Sequence, residues 1–261
     1  MQKNLSQIAF TQFKRLIIMN ELIRIKNLHK TFPSGFCLKD INLIIEKPIT
    51  FCILGKNGAG KSTLFNLMTG NLEPDSGEIR YNGELMRVDH YQIKRKIAYL
   101  PQKPALPLWV TAEEVLHYTA CLHSLENMKE IIKKNLDYWD CAEYSSRSLA
   151  TCSHGMQKRV SLAITSLYNP EFLILDEPFS GLDLSHTYSL ETYIERRKQE
   201  QKTTLLSTHI APYAAKLCDE AYLASQGELK KIEVWATSSY EDRLTLIRNY
   251  FTVMQEPSKI L

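Results

Sequence analysis

Apolar and polar positions along this chain change rhythm several times, and each rhythm predicts a kind of element. Leu22–Leu28 and Leu38–Glu46 read as strands, separated by the turn-rich Thr31-Phe32-Pro33-Ser34-Gly35. Gly77–Tyr81 and Glu84–Met86 flank Asn82-Gly83, a strong hairpin signal, so an antiparallel sheet is expected from these four runs. Phe51–Leu54 and Phe172–Leu175 are unbroken apolar runs suited to strands buried on both faces of a parallel sheet. Ile97–Leu100 and Thr203–Leu206 are further buried-strand candidates. Helical spacing begins at Thr63–Thr69 and takes over between about Thr111 and Leu149, where Val115 and Leu116 and then Met128–Trp139 form stripes. Val160, Ala163, Ile164 and Leu167 stand at i, i+3, i+4 and i+7, predicting a helix over Gly155–Tyr168 stopped by Asn169-Pro170. After Gly227 a charged hairpin-like stretch leads into a terminal helix, roughly Tyr240–Phe251. The fold class is therefore α/β: a mainly parallel sheet, an antiparallel β-subdomain, and a helical subdomain inserted over about 103–152.

The first apolar run ends in chemistry. Phe51 to Leu64 reads Phe-Cys-Ile-Leu-Gly-Lys-Asn-Gly-Ala-Gly-Lys-Ser-Thr-Leu, which is a P-loop and makes the parallel core that of a P-loop NTPase. Gly55, Gly58 and Gly60 let the backbone N–H groups of Lys56, Asn57, Ala59 and Thr63 turn around phosphate oxygens. Lys61 reaches the terminal phosphates, and the Ser62 hydroxyl ligates Mg²⁺. The second run closes on Asp176-Glu177-Pro178: Asp176 is suited to Mg²⁺, directly or through water, and Glu177 to general-base activation of a water. The plainer reading of that tripeptide, a strand end and helix cap, is the weaker one alone and weaker still beside the P-loop. Gln102 and His209 each follow an apolar strand and are placed to approach the γ-phosphate, Gln102 as a metal contact. Chemistry thus gathers at strand carboxyl ends, where open α/β sheets hold ligands.

Composition narrows the classes. The chain has 261 residues and a formal charge of +3, which gives no global reason to expect a nucleic-acid partner. Its six cysteines are scattered without a C-x-x-C pair, so reduced thiols are expected rather than a disulfide framework or zinc site. His29, His90, His117, His123 and His186 make no familiar metal-binding spacing. No stretch approaches the ~20 apolar residues of a membrane-spanning helix. Residues 1–18 are weakly amphipathic and lack a signal-peptide core, and strand-like sequence begins after Met19, so Met19 is expected to be the natural start.

Beyond these motifs the chain resembles the nucleotide-binding subunit of ATP-binding cassette (ABC) transporters over roughly Leu22 to Gly227. Gly55–Ser62 resembles that family's Walker A, Leu173–Glu177 its Walker B, Gln102 its Q-loop, Ser180-Gly181-Leu182-Asp183 its D-loop, and His209 its switch histidine. Cys152-Ser153-His154-Gly155-Met156-Gln157-Lys158-Arg159 stands where the family has Leu-Ser-Gly-Gly-Gln before a basic helix. Ser153 and Gly155 keep the pattern; His154 replaces a glycine and Met156 the glutamine. Phe32 stands where the family stacks an aromatic ring on adenine, and Pro48 where it often has glycine.

The resemblance implies ATP and Mg²⁺ as ligands and a homodimer or heterodimer holding two ATP. Each nucleotide would lie between one chain's Walker A and the partner's Ser153, His154 and Gly155, with Asp183 linking the two sites. It also implies a separately encoded polytopic permease at the cytoplasmic face of the membrane. The variant signature resembles the antibiotic, lantibiotic and multidrug exporter branch. Two rivals remain at this stage: a soluble cassette ATPase acting on nucleic acid or ribosomes, and a binding-only regulator. The intact Glu177 and His209 speak against the second.

Overall fold

The structure, a computed structural model, describes residues 21–253; the expectations for residues 1–18 and Met19 lie outside them. In chain order the strands are β1 (Ile23–Thr31), β2 (Cys37–Ile45), β3 (Thr50–Leu54), β4 (Ser76–Tyr81), β5 (Glu84–Leu85), β6 (Ile97–Leu100), β7 (Phe172–Asp176), β8 (Thr203–Thr208), β9 (Glu220–Ser225) and β10 (Glu228–Lys231). The helices are α1 (Lys61–Met68), α2 (Tyr91–Lys94), α3 (Ala112–Leu122), α4 (Met128–Tyr138), α5 (His154–Ser166), α6 (Leu184–Gln199), α7 (Ala211–Leu217) and α8 (Tyr240–Val253).

Two sheets result. The first is antiparallel in the order β2-β1-β4-β5, and the second runs β10-β9-β3-β8-β7-β6, parallel except for the β9–β10 hairpin. The Asn82-Gly83 turn joins β4 to β5 with both residues at positive φ, 49° and 79°, the mirror-image geometry that matches strand twist. In β1 the buried positions step from Ile25 to Leu28 instead of by two, because the register shifts there around Asn27 at φ 48°. A bulge of this kind lets both ends of the strand keep their apolar residues inward.

Alternation decides how the layers stack. Phe51 and Ile53 of β3 face the β1–β2–β4 sheet and α1, while Cys52 and Leu54 face a second core with α5, α6 and the helical insertion. Both faces of the central strands are covered, which is why they read as apolar runs rather than as an alternating pattern. In the insertion, Thr111 begins α3 with a capping box: its hydroxyl accepts from Glu114 N–H at 3.1 Å and its own N–H donates to Glu114 Oε2 at 2.8 Å. Trp139, fully buried, ties α4 to α5 by donating from Nε1 to Ser166 Oγ at 2.7 Å.

Several expected boundaries move. β1 continues through Thr31, so the joint begins at Phe32, and the second hairpin strand stops at Leu85. The P-loop helix starts at Lys61, and the signature helix spans His154–Ser166 rather than Gly155–Tyr168. β9 carries no sequence expectation: Glu220-Ala-Tyr-Leu-Ala-Ser mixes polar ends with small residues, yet it pairs in parallel with β3 over Phe51–Leu54. The turn of the terminal hairpin is thus Gln226-Gly227, and Gly227 O accepts from Lys39 N–H at 2.8 Å, linking the two sheets.

Candidate functional site

The P-loop runs from the end of β3 to the first turn of α1. Gly60 has φ 101°, a conformation that requires glycine, and a Cβ there would press on the side-chain tips of Leu38 at 2.6 Å and Phe36 at 2.8 Å. Lys61 is 6% exposed, and its ammonium donates to the carbonyls of Gly55 at 2.7 Å and Lys56 at 3.2 Å. Those bonds hold the side chain back across the loop it follows.

The carboxyl ends of β7 and β8 supply the opposite wall. Asp176 is buried and accepts from Ser62 Oγ at 2.5 Å and from Ser207 Oγ at 2.5 Å, one hydroxyl on each carboxylate oxygen. Ser207 Oγ in turn accepts from the Glu177 N–H at 2.9 Å. Glu177 has φ 47°, the left-handed region that costs a side-chain-bearing residue energy and recurs at functional sites. Its Oε2 faces His209 Nδ1 at 2.9 Å; its Oε1 is buried, without a hydrogen-bond partner among the described residues, and 3.7 Å from Lys61 Nζ. An unpartnered buried carboxylate oxygen is expensive unless something arrives to donate to it.

A second buried cation lies behind this group. Lys158 of α5, 3% exposed, donates from Nζ to the Glu177 carbonyl at 3.4 Å. Burial pulls its ammonium down to a pKa of about 8, against the opposing pull of Asp176 and Glu177.

Between the two walls opens a cavity of about 650 Å³ lined by Phe32, Ser34, Phe36, Lys56 through Thr63, Gln102, Asp176 and Glu177. It gathers residues from four separate stretches of sequence. Phe36, absent from the sequence expectations, flanks Phe32 with ring centroids 6.2 Å apart and planes at 36°. Phe32 N–H donates to Phe36 O at 2.9 Å across the turn, so the available signal was a second aromatic four residues on. Ser207 and Lys158 also went without an assigned role: each is a polar residue inside an otherwise buried pattern, a signal that becomes specific only once neighbours are known.

Ser153, His154 and Gly155 do not line this cavity. Ser153 is the N-cap of α5, its Oγ accepting from Met156 N–H at 3.3 Å, and His154 opens the helix. A Cβ on Gly155 would meet Gly181 O at 3.6 Å, ordinary contact, so the signature packs beside the Ser180–Asp183 turn of its own chain. Asp183 caps α6: its Oδ1 accepts from His186 N–H at 2.9 Å and faces His186 Nδ1 at 2.6 Å. The backbone bond first, then the ring, hold the Asp183 carboxyl below its usual range.

Residues 38–180 match the family model described as ABC transporter. The chain belongs to the ABC transporter ATP-binding protein family. Among its ABC relatives, the uncharacterized ABC transporter ATP-binding protein YxlF of Bacillus subtilis is 32% identical over 89% of this chain and 76% of its own length. The linearmycin resistance ATP-binding protein LnrL of the same species is 30% identical over 80% of this chain and 68% of that protein. A solved ATP-binding subunit of an ABC transporter superposes with a TM-score of 0.77 at 26% identity, covering 87% of this chain and 99% of that one. ABC proteins of this kind bind ATP, and the P-loop cradle with the Lys61 ammonium folded across it fits that ligand's phosphates. Among the described residues no helix is long and apolar enough to cross a membrane.

Proposed function

We propose that this ABC protein hydrolyses ATP within a dimer and so powers a separate membrane permease, an export system by the character of its signature. The observation that carries the hydrolytic part is the Glu177 carboxylate: one oxygen beside His209 Nδ1, the other buried, unpartnered and facing the P-loop lysine. A water in line with the γ-phosphorus would give a proton to Oε1 as its oxygen bonds to phosphorus. The bond to the ADP oxygen breaks, leaving ADP and phosphate. His209, with Nδ1 protonated, donates to Oε2 and fixes the carboxylate's orientation. Lys61 would exchange its two carbonyl partners for phosphate oxygens. Phe32 and Phe36, both lining the cavity, would supply aromatic surface for a base.

Mg²⁺ would be held by Ser62 and Asp176, hard oxygen donors already in contact, with Gln102 on the same cavity wall. When bound, the ion neutralises charge on the phosphate oxygens.

What supports the dimer is what this cavity lacks. Its own signature residues Ser153–Gly155 lie outside it, and the N-terminus of α5 is a ready anion site for a second chain's γ-phosphate. Asp183, exposed at the head of α6, is the proposed link between the two sites. The export assignment rests on the His154 and Met156 departures and on LnrL, whose name links it to linearmycin resistance. A permease would place the chain at the cytoplasmic membrane face.

The test compares ATP turnover and oligomeric state in wild type and Glu177→Gln. Turnover should fall by roughly 10²- to 10⁴-fold in the variant, the usual size of a general-base contribution. The variant should also retain ATP and accumulate as a dimer. Equal turnover in the two proteins would sink the assignment of Glu177.

A further inference from the structure

The helical insertion brings together three side chains that have no part in the nucleotide site. His117 and Cys121 stand at i and i+4 on the exposed face of α3, and Met128 is the first residue of α4. His117 Nδ1 lies 3.7 Å from Cys121 Sγ, and Cys121 Sγ lies 3.8 Å from Met128 Sδ. His117 and Met128 also line one open recess, together with Asn127, Lys129 and Glu130.

These two separations match neighbouring donors around one metal ion. With metal–nitrogen bonds of about 2.0 Å and metal–sulfur bonds of about 2.3 Å, ligands in a trigonal plane sit roughly 3.5–4 Å from one another. The turn between the helices holds the third donor in place. Ser124 and Asn127 both adopt positive φ, at 54° and 52°, and Ser124 N–H and Leu125 N–H donate to Cys121 O and Ala120 O, each at 3.0 Å. The pattern is local, His-x3-Cys-x6-Met, so one helical hairpin carries all three donors.

The donor set selects the ion. An imidazole, a thiolate and a thioether form a soft site, and the thioether is a poor ligand for Zn²⁺ or Mg²⁺. Carboxylates are not part of it: Glu130, at the rim, is paired with Lys134 at 2.6 Å. Among the described residues no three His, Cys, Asp or Glu side chains cluster for a metal, so methionine is what completes this set. We infer that His117, Cys121 and Met128 form a surface site for Cu(I). On binding, the thiol gives its proton to solvent as the copper–sulfur bond forms, and the copper stays in the +1 state.

The experiment is a titration of the reduced, full-length protein with Cu(I) under anaerobic conditions against a chromogenic Cu(I) chelator. Wild type should take up one more equivalent than Cys121→Ser. His117→Gln and Met128→Leu should each weaken that uptake by about tenfold or more, as loss of a ligand requires. X-ray absorption of the loaded wild type should show one nitrogen and two sulfur neighbours. ATP binding, measured on every variant, reports that the fold is intact, and the His117 and Met128 variants carry the test even where Cys121→Ser does not fold. Equal Cu(I) affinity in wild type, His117→Gln and Met128→Leu would overturn the site, leaving a thiol that binds copper alone. Preference for Zn²⁺ over Cu(I) would overturn it as well.

Discussion

The Ser62 hydroxyl donates to Asp176 Oδ2 at 2.5 Å, joining the first turn of α1 to the end of β7 across 114 residues of sequence. With Ser207 on its other oxygen, Asp176 is held by two hydroxyls, with no basic hydrogen-bond partner among the described residues. That arrangement keeps its negative charge available to a cation. Asp176→Asn and Ser62→Ala should each raise the Mg²⁺ concentration needed for half-maximal ATP turnover by about tenfold or more, since each removes a hard oxygen ligand or its charge. Titration of turnover with Mg²⁺ and with Mn²⁺ checks this, and unchanged half-saturation in both variants would contradict the assignment.

Lys61 is nearly buried and donates to two carbonyls of the loop it follows, so its removal acts on that loop itself. Lys61→Ala should weaken ATP binding by about 10- to 100-fold, the loss expected for charge-assisted bonds to phosphate. A fluorescent ATP analogue measures it; wild-type affinity in the variant would count against the P-loop as the phosphate cradle.

Lys158 gives the chain a pH-dependent cost. Its folded pKa of about 8 lies below the usual 10.5, so between those values the unfolded chain binds more protons than the folded one. Stability from this group therefore rises with pH across that window, and the penalty is fully present below pH 8. Lys158→Met removes the titrating group. Relative to this variant, wild type should gain about 2 kcal/mol between pH ~7.5 and pH ~9.5 in urea denaturation. A difference that stays flat with pH would show that Lys158 is not buried as a charge.

Ser166 serves two helices at once. Its hydroxyl accepts from Trp139 Nε1 at 2.7 Å and from Asn135 Nδ2 at 3.0 Å, and donates to Ala163 O at 3.2 Å. Ser166→Ala leaves a fully buried indole N–H without an acceptor and should cost about 1–3 kcal/mol. Urea midpoints with an unchanged slope would report that loss; an unchanged midpoint would show that water or a rearranged Trp139 replaces the bond.

Several elements were legible because a local pattern carried enough information. Phe51–Leu54 and Phe172–Leu175 are apolar on both faces, so they had to be central strands, and Asn82-Gly83 fixed a hairpin through its backbone preferences alone. The P-loop was equally plain, since its glycines, lysine and serine act within eight residues of one another. Other features escaped because their meaning depends on distant partners. Glu220–Ser225 has a weak strand pattern and becomes a parallel strand only by lying against β3, which follows from chain crossing and not from periodicity. Phe36 reaches the cavity because β2 folds back beside the P-loop, and Lys158 reaches Glu177 because α5 packs against β6, the neighbour of β7.

The sequence by itself determined the ligand class and the family, because backbone preference and motif spacing act over a few residues. Tertiary structure alone decided which oxygen of Glu177 stays unpartnered, that Ser207 bridges Asp176 and Glu177, and that Ser153 lies outside its own chain's cavity. It also decided that His117, Cys121 and Met128 converge. The physical reason is common to all of these: hydrogen bonding, burial and metal-donor geometry depend on distances between side chains, and those distances are set by how helices and strands cross, which no local pattern encodes.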